Sequence, residues 1–351
     1  METSRFSFDL PEELIAQTPA DKRDHTRLML CSFEYDGDTE TVEHVHTRDF
    51  TELVPDNAVV VVNDSRVRKS RILAERTDGA AIRRCEVLFL SADDQGRVWD
   101  VMLGRAGRNP AKGTYRLPGG RTGTIVSRDE QAFRMQLDTA VDEPWFQEHG
   151  HVPLPPYIQR DDSFEDEERY QTVYAREYGS AAAPTAGLHF TTAMLDRIRE
   201  RGIPVVAVTL HVGMGTFAPI RTDTVEAHHM HEERYHVSAE TASTINLALQ
   251  ERRPVVAIGT TSVRTLESAV NADGFIDAGS NATQLYIYPG YRFRVVSHMF
   301  TNFHTPGSSL VVMVSAFAGT ERIRRLYGTA IERRYRFFSY GDAMYLRRLD
   351  Q

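Results

Sequence analysis

The hydrophobic positions divide the chain into three stretches of different pattern. Residues 1–66 contain short apolar runs typical of strands, among them Leu28–Phe33 and Ala58–Val62. A strand with one solvated face alternates apolar and polar residues, whereas a continuous apolar run is typical of a strand buried on both faces. We therefore predict that Ala58–Val62 is a central strand of a sheet.

Residues 69–152 consist of short strand-like runs separated by turn-forming residues, with no helical period. The predicted strands are Cys85–Leu90, Val98–Leu103, Thr114–Leu117, Gly123–Val126 and Phe133–Leu137. Strands at this spacing are typical of a small antiparallel barrel or sandwich. A stiff proline-rich segment, residues 152–156, ends the stretch. We predict an inserted β-barrel domain at 69–152 within a discontinuous larger domain formed by residues 1–68 and 153–351.

From residue 170 onward, helical periods and apolar runs alternate. The predicted helices are Thr192–Arg201, Ala239–Arg252, Ser262–Val270 and Thr320–Phe338. The predicted strands are Val205–Leu210, Val255–Ile258, Gln284–Ile287, Phe293–Val296 and Leu310–Val314. The fold class is therefore predicted to be α/β (mixed α+β), with a larger layered α/β domain carrying an inserted small antiparallel β-barrel.

Composition limits the functional class only weakly. The 351 residues are 41% hydrophobic and 26% charged, and no apolar run approaches the roughly 18–20 residues that span a membrane. Two cysteines, Cys31 and Cys85, provide no disulfide framework, and the first residues do not resemble a signal peptide, so we expect a cytoplasmic protein. The net charge of −8 disfavours nucleic acid, yet Arg66–Arg84 contains seven basic residues and two acids. That run fits either RNA phosphates or a solvated surface.

Several polar, glycine-rich segments adjoin the predicted strands. Asn63-Asp64-Ser65-Arg66 follows the central strand, where ligands bind in open α/β sheets, although an Asx-type turn has the same composition. The segment 259–265 lies between a strand and a helix, where free N–H groups favour a carboxylate. Segments 179–191 and 301–309 combine small or polar residues with an aromatic ring. Gly213 and Gly215 lack the third glycine and the helix of a dinucleotide site.

A cluster of histidines suggests a different chemistry. His228, His231 and Glu233 have His-x-x-His-x-Glu spacing, which leaves open a metal-dependent hydrolase. Zinc helices more often contain His-Glu-x-x-His, so a hydrogen-bonding or acid–base role is favoured and no metal is expected.

Ordered motifs from Phe6 to Leu346 resemble a known family. They include Asp9-Leu-Pro-Glu-Glu-Leu-Ile-Ala-Gln, Asn63-Asp-Ser-Arg-Val, Ala183-Pro-Thr-Ala-Gly-Leu-His-Phe-Thr, Val208-Thr-Leu-His-Val-Gly, Gly259-Thr-Thr-Ser-Val-Arg-Thr and Thr301-Asn-Phe-His. These motifs resemble the S-adenosylmethionine:tRNA ribosyltransferase-isomerases of queuosine biosynthesis, which also have a smaller β-barrel domain. The chain departs from that pattern at Ser65, usually threonine, and at Gly307, usually lysine.

The resemblance implies transfer of the ribosyl part of S-adenosylmethionine to 7-aminomethyl-7-deazaguanine at the tRNA wobble position. Isomerisation then gives epoxyqueuosine and releases adenine and methionine. Such chemistry needs a base for the carbon beside the sulfonium and an acid for departing adenine. The implied partner is tRNA carrying that base, no membrane is involved, and a monomer is expected. A paralogue with another acceptor, or a non-catalytic RNA-binding module, remains an alternative.

On this resemblance we assign roles to the polar segments. The predicted catalytic residues are His211, His231, Asp64 and His189. The predicted S-adenosylmethionine contacts are Asn63, Thr185, Thr216, Phe217, Thr260, Thr261, Arg264, Asn302 and Phe303. The predicted tRNA contacts are Arg66, Arg71 and Arg336.

Overall fold

The structure is a computed structural model that describes residues 1–349 except 36, 38, 80, 94, 129–131 and 214–218. The strands are β1 Arg27–Phe33, β2 Glu40–His46, β3 Val59–Asn63, β4 Ser65–Val67, β5 Arg71–Asp78, β6 Ala81–Ala92, β7 Val98–Gly104, β8 Thr114–Leu117, β9 Arg121–Arg128, β10 Phe133–Leu137, β11 Glu177–Ser180, β12 Val205–Leu210, β13 Glu233–Val237, β14 Val255–Ile258, β15 Gly279–Thr283, β16 His298–Asn302 and β17 Ala343–Arg348. The α-helices are α1 Phe50–Leu53, α2 Glu143–His149, α3 Phe164–Arg169, α4 Thr192–Glu200, α5 Ala239–Gln250, α6 Thr260–Ala269, α7 Ser309–Ala318 and α8 Thr320–Glu332.

A nine-stranded mixed sheet forms the larger layer, in the order β15-β13-β12-β3-β14-β16-β17-β1-β2. Its middle strands β12, β3, β14 and β16 run parallel, so their carboxyl ends meet at one edge. Every residue of β3 is buried, which confirms the predicted central strand. Because this edge gathers the segments after residues 63, 210, 258 and 302, it is where a ligand site is expected.

A closed six-stranded barrel interrupts this unit, with the order β10-β7-β6-β5-β8-β9 and antiparallel pairing throughout. Its core packs the rings of Phe89, Trp99 and Phe146 edge to face, with centroids 5.2–5.3 Å apart. Helix α2 therefore closes the core of the barrel. The predicted fold class, a mixed α/β layer with a small antiparallel barrel, is confirmed, whereas the domain boundaries at 69 and 152 stay predictions.

Three predicted strands of the last third were wrong. Leu310–Val314 lies in α7, a helix whose ten residues are all buried, so no polar face reveals the helical period. Around Phe293–Val296 the backbone N–H groups of Val295 and Val296 donate to the Glu267 carboxylate instead of a neighbouring strand. In place of Gln284–Ile287, the strand is the preceding β15, an exposed polar edge strand without an apolar run.

The predicted helix Thr320–Phe338 ends at Glu332, since Arg334 adopts a left-handed φ of 54°. Helix α6 begins two residues before its predicted start, which places Thr260 and Thr261 in its first turn. In the described part of the chain, no helix has the length and apolar character required to cross a membrane.

Candidate functional site

A small cavity of about 20 Å³ lies at the carboxyl edge of the parallel strands. It is lined by residues that follow β14 and β16 and by the 183–186 segment, including Thr185, Gly259, Thr260, Thr261, Asn302 and His304. Four of the predicted S-adenosylmethionine contacts, Thr185, Thr260, Thr261 and Asn302, therefore share one cavity although 117 positions separate the first from the last.

The wall formed by α6 suits an anionic group. Gly259 has a φ of 88°, which favours glycine, and a Cβ there would lie 3.4 Å from the Ala186 Cβ. The helix that starts after it directs unsatisfied N–H groups and the positive end of its dipole outward. The Thr261 hydroxyl is buried and has no hydrogen-bond partner among the described residues. A carboxylate is the group that this combination favours.

A hydrogen-bond chain fixes the orientation of Asn302. Its Nδ2 donates to His189 Nε2 (3.1 Å) and to the Phe338 carbonyl (3.0 Å). Because Nε2 accepts, the proton of His189 is on Nδ1 and is donated to Thr26 Oγ1 (2.7 Å), which contacts Thr47 Oγ1 (2.7 Å). The remaining group, Asn302 Oδ1, accepts from Thr185 Oγ1 (3.2 Å) at the cavity. Asn302 thus presents an acceptor to a ligand.

Burial determines the protonation of the histidines next to the cavity. It lowers the pKa of His189 to about 4, and it lowers that of His304 to about 3. His304 Nε2 contacts Thr301 Oγ1 (2.8 Å), and its backbone N–H donates to the Tyr327 hydroxyl (3.0 Å). Both rings are neutral at physiological pH. The predicted site omitted His304, which the Thr-Asn-Phe-His motif contains.

His211 follows β12 and lies in a groove of about 470 Å³ that also includes Thr209, Arg234 and His236. Its Nδ1 is buried and has no hydrogen-bond partner among the described residues. The ring packs against Gly179, where a Cβ would lie 3.0 Å from Nδ1. Burial lowers the pKa of His211, and the positive charges of Arg68 and Arg234 lower it further. A neutral imidazole with an unused nitrogen can accept a proton.

Asp64 lies beside this groove. Its Oδ1 accepts from the Thr209 hydroxyl (2.6 Å). Burial raises the pKa of the Asp64 carboxyl, and the negative charge of Glu177 adds to the rise, while the Thr209 hydrogen bond opposes it. Asp64 and His211, both predicted to be catalytic, therefore follow two neighbouring parallel strands, β3 and β12, at the same edge of the sheet.

The side chain of Asn63 is hydrogen-bonded within the sheet. The residue is 0% exposed, its Nδ2 donates to the Leu210 carbonyl, and its Oδ1 accepts from the N–H groups of Leu210 and Ser65. These bonds join β3 to β12 and complete the strand end. The predicted contact with S-adenosylmethionine stays a prediction, and the geometry favours a structural role.

Arg264 forms a buried ion pair with Glu233. Its Nε also donates to the Leu285 carbonyl (3.2 Å), and the Glu233 carboxylate accepts from the Gly213 N–H (3.0 Å). Arg264 Nη2 is buried without a partner among the described residues. Through Glu233, the arginine therefore anchors Gly213. The predicted residues Thr216 and Phe217 lie outside the described residues.

The remaining histidines do not form a metal centre in the described part of the chain, where no group of three or more His, Cys, Asp or Glu side chains is arranged to hold an ion. Glu233 is engaged by Arg264, and the His228 ring packs against Tyr286 with centroids 5.2 Å apart. His231, predicted to be catalytic, is half-buried in the segment before β13. This arrangement gives no support to the hydrolase alternative.

The predicted aromatic contact lies in the core. The ring of Phe303 is surrounded by Tyr327, Tyr335 and Phe337, with centroids 5.2–5.4 Å away. It is fully buried and does not line the cavity, so the geometry favours packing over purine stacking.

The three arginines predicted to contact tRNA are held by the protein itself. Arg71 pairs with Asp162 (2.6 Å) and Glu86 (3.7 Å), and Arg336 donates to the Thr18 carbonyl. The Arg66 guanidinium lies over the Tyr178 ring at 5.0 Å. Their role as tRNA contacts stays a prediction, and the acids beside Arg71 argue against it.

Gly307 occupies the position where the resemblance suggested lysine. Its φ of 66° favours glycine, and its carbonyl accepts from the Ile220 N–H. The substitution is therefore compatible with the local turn.

Comparison with known proteins places this geometry in a family. The family model described as "Queuosine biosynthesis protein" matches residues 3–346. The chain belongs to the queuosine biosynthesis protein family. It is 46% identical over 98% of its length to S-adenosylmethionine:tRNA ribosyltransferase-isomerase of Treponema denticola, covering 99% of that protein. It is 43% identical over 99% of its length to the protein of the same name from Geobacter metallireducens, covering all of it.

A member of this family with a solved structure has the same architecture. The crystal structure of S-adenosylmethionine tRNA ribosyltransferase from Thermotoga maritima matches with a TM-score of 0.55 and 29% identity, covering 98% of this chain and 100% of that one.

Proposed function

We propose that this protein is an S-adenosylmethionine:tRNA ribosyltransferase-isomerase that acts on 7-aminomethyl-7-deazaguanine at the wobble position of tRNA. The observation that carries the proposal is the cavity that unites Thr185, Thr260, Thr261 and Asn302 at the carboxyl edge of the parallel strands. The full-length similarity to relatives with that name supports the same activity. The co-substrate supplies the ribosyl group that becomes attached to the RNA base.

The methionine carboxylate of the co-substrate fits the α6 wall. The N–H groups of the first turn and the unpartnered Thr261 hydroxyl supply donors, and the helix dipole favours negative charge. We assign Arg264 to this wall as the residue that anchors the neighbouring Gly213 through Glu233.

Asn302 is the residue that we assign to recognition of a donor group, either a ribose hydroxyl or the amino group of adenine. Its Oδ1 faces Thr185 at the cavity, and both hydrogens of its Nδ2 are used elsewhere. The Phe338 carbonyl can only accept, so it fixes which end of the amide faces the ligand, and His189 acts as a positioning residue whose Nε2 accepts the second Nδ2 hydrogen.

His211 is the base in this proposal, and Asp64 is the acid. In this proposal the neutral His211 imidazole takes the proton from the carbon beside the sulfonium, whose positive charge acidifies that carbon. The Asp64 carboxyl, whose pKa is raised by burial, is the proposed donor of the proton that departing adenine requires. In this scheme His211 acts before adenine leaves, and Asp64 acts while adenine leaves.

The pH dependence of turnover tests the histidine assignment. Since the pKa of His211 is lowered, the imidazole is neutral through the physiological range and becomes protonated only below its ordinary value of 6.5. On the acid side of the profile, we expect kcat/KM to fall as the pH drops through a midpoint below 6.5. A midpoint above 6.5 in the free enzyme would contradict a base with a lowered pKa.

Thr261→Val tests the carboxylate wall. Loss of one hydrogen bond to a charged group costs about 1.5–3 kcal/mol, so the Kd for S-adenosylmethionine should rise at least tenfold. Isothermal titration calorimetry measures the change. Thr265→Val is the matched control, because Thr265 lies one turn further along α6 and donates to the Thr261 carbonyl instead of lining the cavity. Equal Kd values for the two variants would remove Thr261 from the site.

The activity itself is tested with purified protein, S-adenosylmethionine and an anticodon stem-loop that carries the aminomethyl-deazaguanine. Adenine release and an RNA mass gain on the modified loop, with neither on an unmodified loop, are the expected results. Release of adenine without a mass gain on the loop would indicate another acceptor. The absence of S-adenosylmethionine binding would refute the proposal.

We further propose that the enzyme acts in the cytoplasm as a monomer, with tRNA as its partner and without a metal requirement. Both cysteines are buried and free, which suits a reducing compartment. Size-exclusion chromatography with light scattering, and turnover in the presence of a chelator, test the oligomeric state and the metal requirement.

A further inference from the structure

The barrel contains a cationic loop, residues 104–113, that is organised by one buried arginine. Arg76 on β5 is 5% exposed, and its guanidinium donates to backbone carbonyls of the loop. The acceptors are the carbonyl oxygens of Ala106 (2.7 Å), Arg108 (3.2 Å), Asn109 (2.8 Å) and Lys112 (2.9 Å). With its carbonyls directed inward to Arg76, the loop is held in one shape.

This loop exposes positive charge on its outer side. Arg105, Arg108 and Lys112 are exposed, and the loop sequence from Gly104 to Gly113 contains no acid. Arg83 of β6 lies against the loop, since a Cβ at Gly107 would be 2.9 Å from its Nε. Arg105, whose side chain is 83% exposed, has an ion pair of 3.6 Å with Glu86. Glu86 therefore offsets part of the charge of Arg105.

The cationic loop differs from the arginines that the sequence suggested. Arg71 is enclosed by Asp162 and Glu86, so its charge is already compensated. Arg83, Arg108 and Lys112 lie at the surface and are brought together by the fold from two separate parts of the chain. Guanidinium and ammonium groups on a preformed loop match the spaced, sequence-independent charges of a phosphate backbone.

We propose that the cationic loop 104–113, together with Arg83, binds the phosphate backbone of the substrate tRNA. This inference rests on the proposed function for the identity of the RNA. The loop supplies affinity and orientation, while the cavity at the sheet edge supplies the chemistry. Contacts to phosphates release counterions, so each one adds to the salt dependence of binding.

The test compares two triple variants with the same change in charge. The first is Arg83→Gln/Arg108→Gln/Lys112→Gln. The matched control is Arg97→Gln/Arg128→Gln/Arg134→Gln, which removes three exposed charges from other parts of the barrel surface. Fluorescence anisotropy measures the Kd of a full-length tRNA transcript over a series of KCl concentrations, without S-adenosylmethionine. Circular dichroism shows that both variants are folded.

We expect the first triple variant to weaken tRNA binding at least tenfold and to reduce the slope of log Kd against log salt by about two, at roughly 0.7–0.9 per phosphate contact. The control should change the Kd less than threefold. At saturating tRNA, kcat should stay within twofold of the wild type in both. Replacing Arg83 and Arg108 by lysine, which keeps the charge, should restore most of the slope.

An unchanged Kd and slope in the first triple variant would overturn the proposal. It would indicate that the loop serves a partner other than RNA. An equal loss in both variants would overturn it as well, because it would indicate non-specific attraction. Binding is measured without turnover, so failure of the enzymatic assay with a normal effect on binding would refute the proposed reaction and not the RNA surface.

Discussion

Replacing His211 by alanine is expected to lower the rate of adenine release by about 10²–10⁴-fold, the range for loss of a general base. The basis for this expectation is that Nδ1 has no hydrogen-bond partner among the described residues, whereas a histidine that served the fold would have one. The substitution should leave folding intact because the side chain is only half-buried. Single-turnover assays with saturating S-adenosylmethionine and modified stem-loop measure the rate.

His236→Ala is the control for this experiment. His236 lines the same groove, but its Nδ1 is bonded to Ser280 Oγ (2.8 Å) and its side chain is exposed. We expect its rate to stay within threefold of the wild type. The Kd for S-adenosylmethionine should be unchanged in both variants. A His211→Ala rate within threefold of the wild type would show that another group removes the proton.

Breaking the Arg264–Glu233 pair should produce the largest loss of stability among the substitutions considered. The two side chains are 3% and 4% exposed, so replacing Arg264 by methionine leaves a carboxylate buried without its charge partner. Removal of one member of a buried pair typically costs about 3–5 kcal/mol. Urea denaturation, followed by circular dichroism, measures the free energy of unfolding.

The matched control is Arg199→Met. Arg199 pairs with Asp196 at 2.9 Å on the surface of α4, where the side chains are 49% and 54% exposed. An exposed pair contributes roughly 0–1 kcal/mol, so the control should be nearly neutral. The double variant Arg264→Met/Glu233→Gln should recover part of the loss, because it removes the unpaired charge. Equal stability of Arg264→Met and the control would mean that water or a rearranged side chain compensates the Glu233 carboxylate.

The predicted elements were correct where local pattern and tertiary burial agree. Val205–Leu210 and Val255–Ile258 have the predicted bounds, since each is a short apolar run between turn-forming residues. Leu310–Val314 failed because a helix that is buried all round has the same apolar run as a central strand. Sequence periodicity alone does not distinguish these two cases.

In the candidate site, too, some features follow from the local sequence and others only from the fold. Gly259 and the hydroxyls after it were recognised from local chemistry, because a glycine between a strand and a helix provides a turn and free N–H groups in any fold. Asn63 and Asn302 both end parallel strands, yet the Asn63 amide is used by Leu210 and Ser65, whereas Asn302 presents its oxygen to the cavity. No local feature separates the two asparagines.

The sequence by itself determined the fold class, the inserted barrel and the family, since these depend on the order of apolar runs and on ordered motifs. Only the tertiary structure decided which polar groups remain available. Among the described residues His211 Nδ1 has no hydrogen-bond partner, and Phe303 has no exposed surface because its neighbours are distant along the chain. Arg71 is compensated by Asp162, 91 positions away, whereas Arg108 stays exposed. Hydrogen-bond capacity and charge are consumed by non-local contacts, and these exist only once the chain has folded.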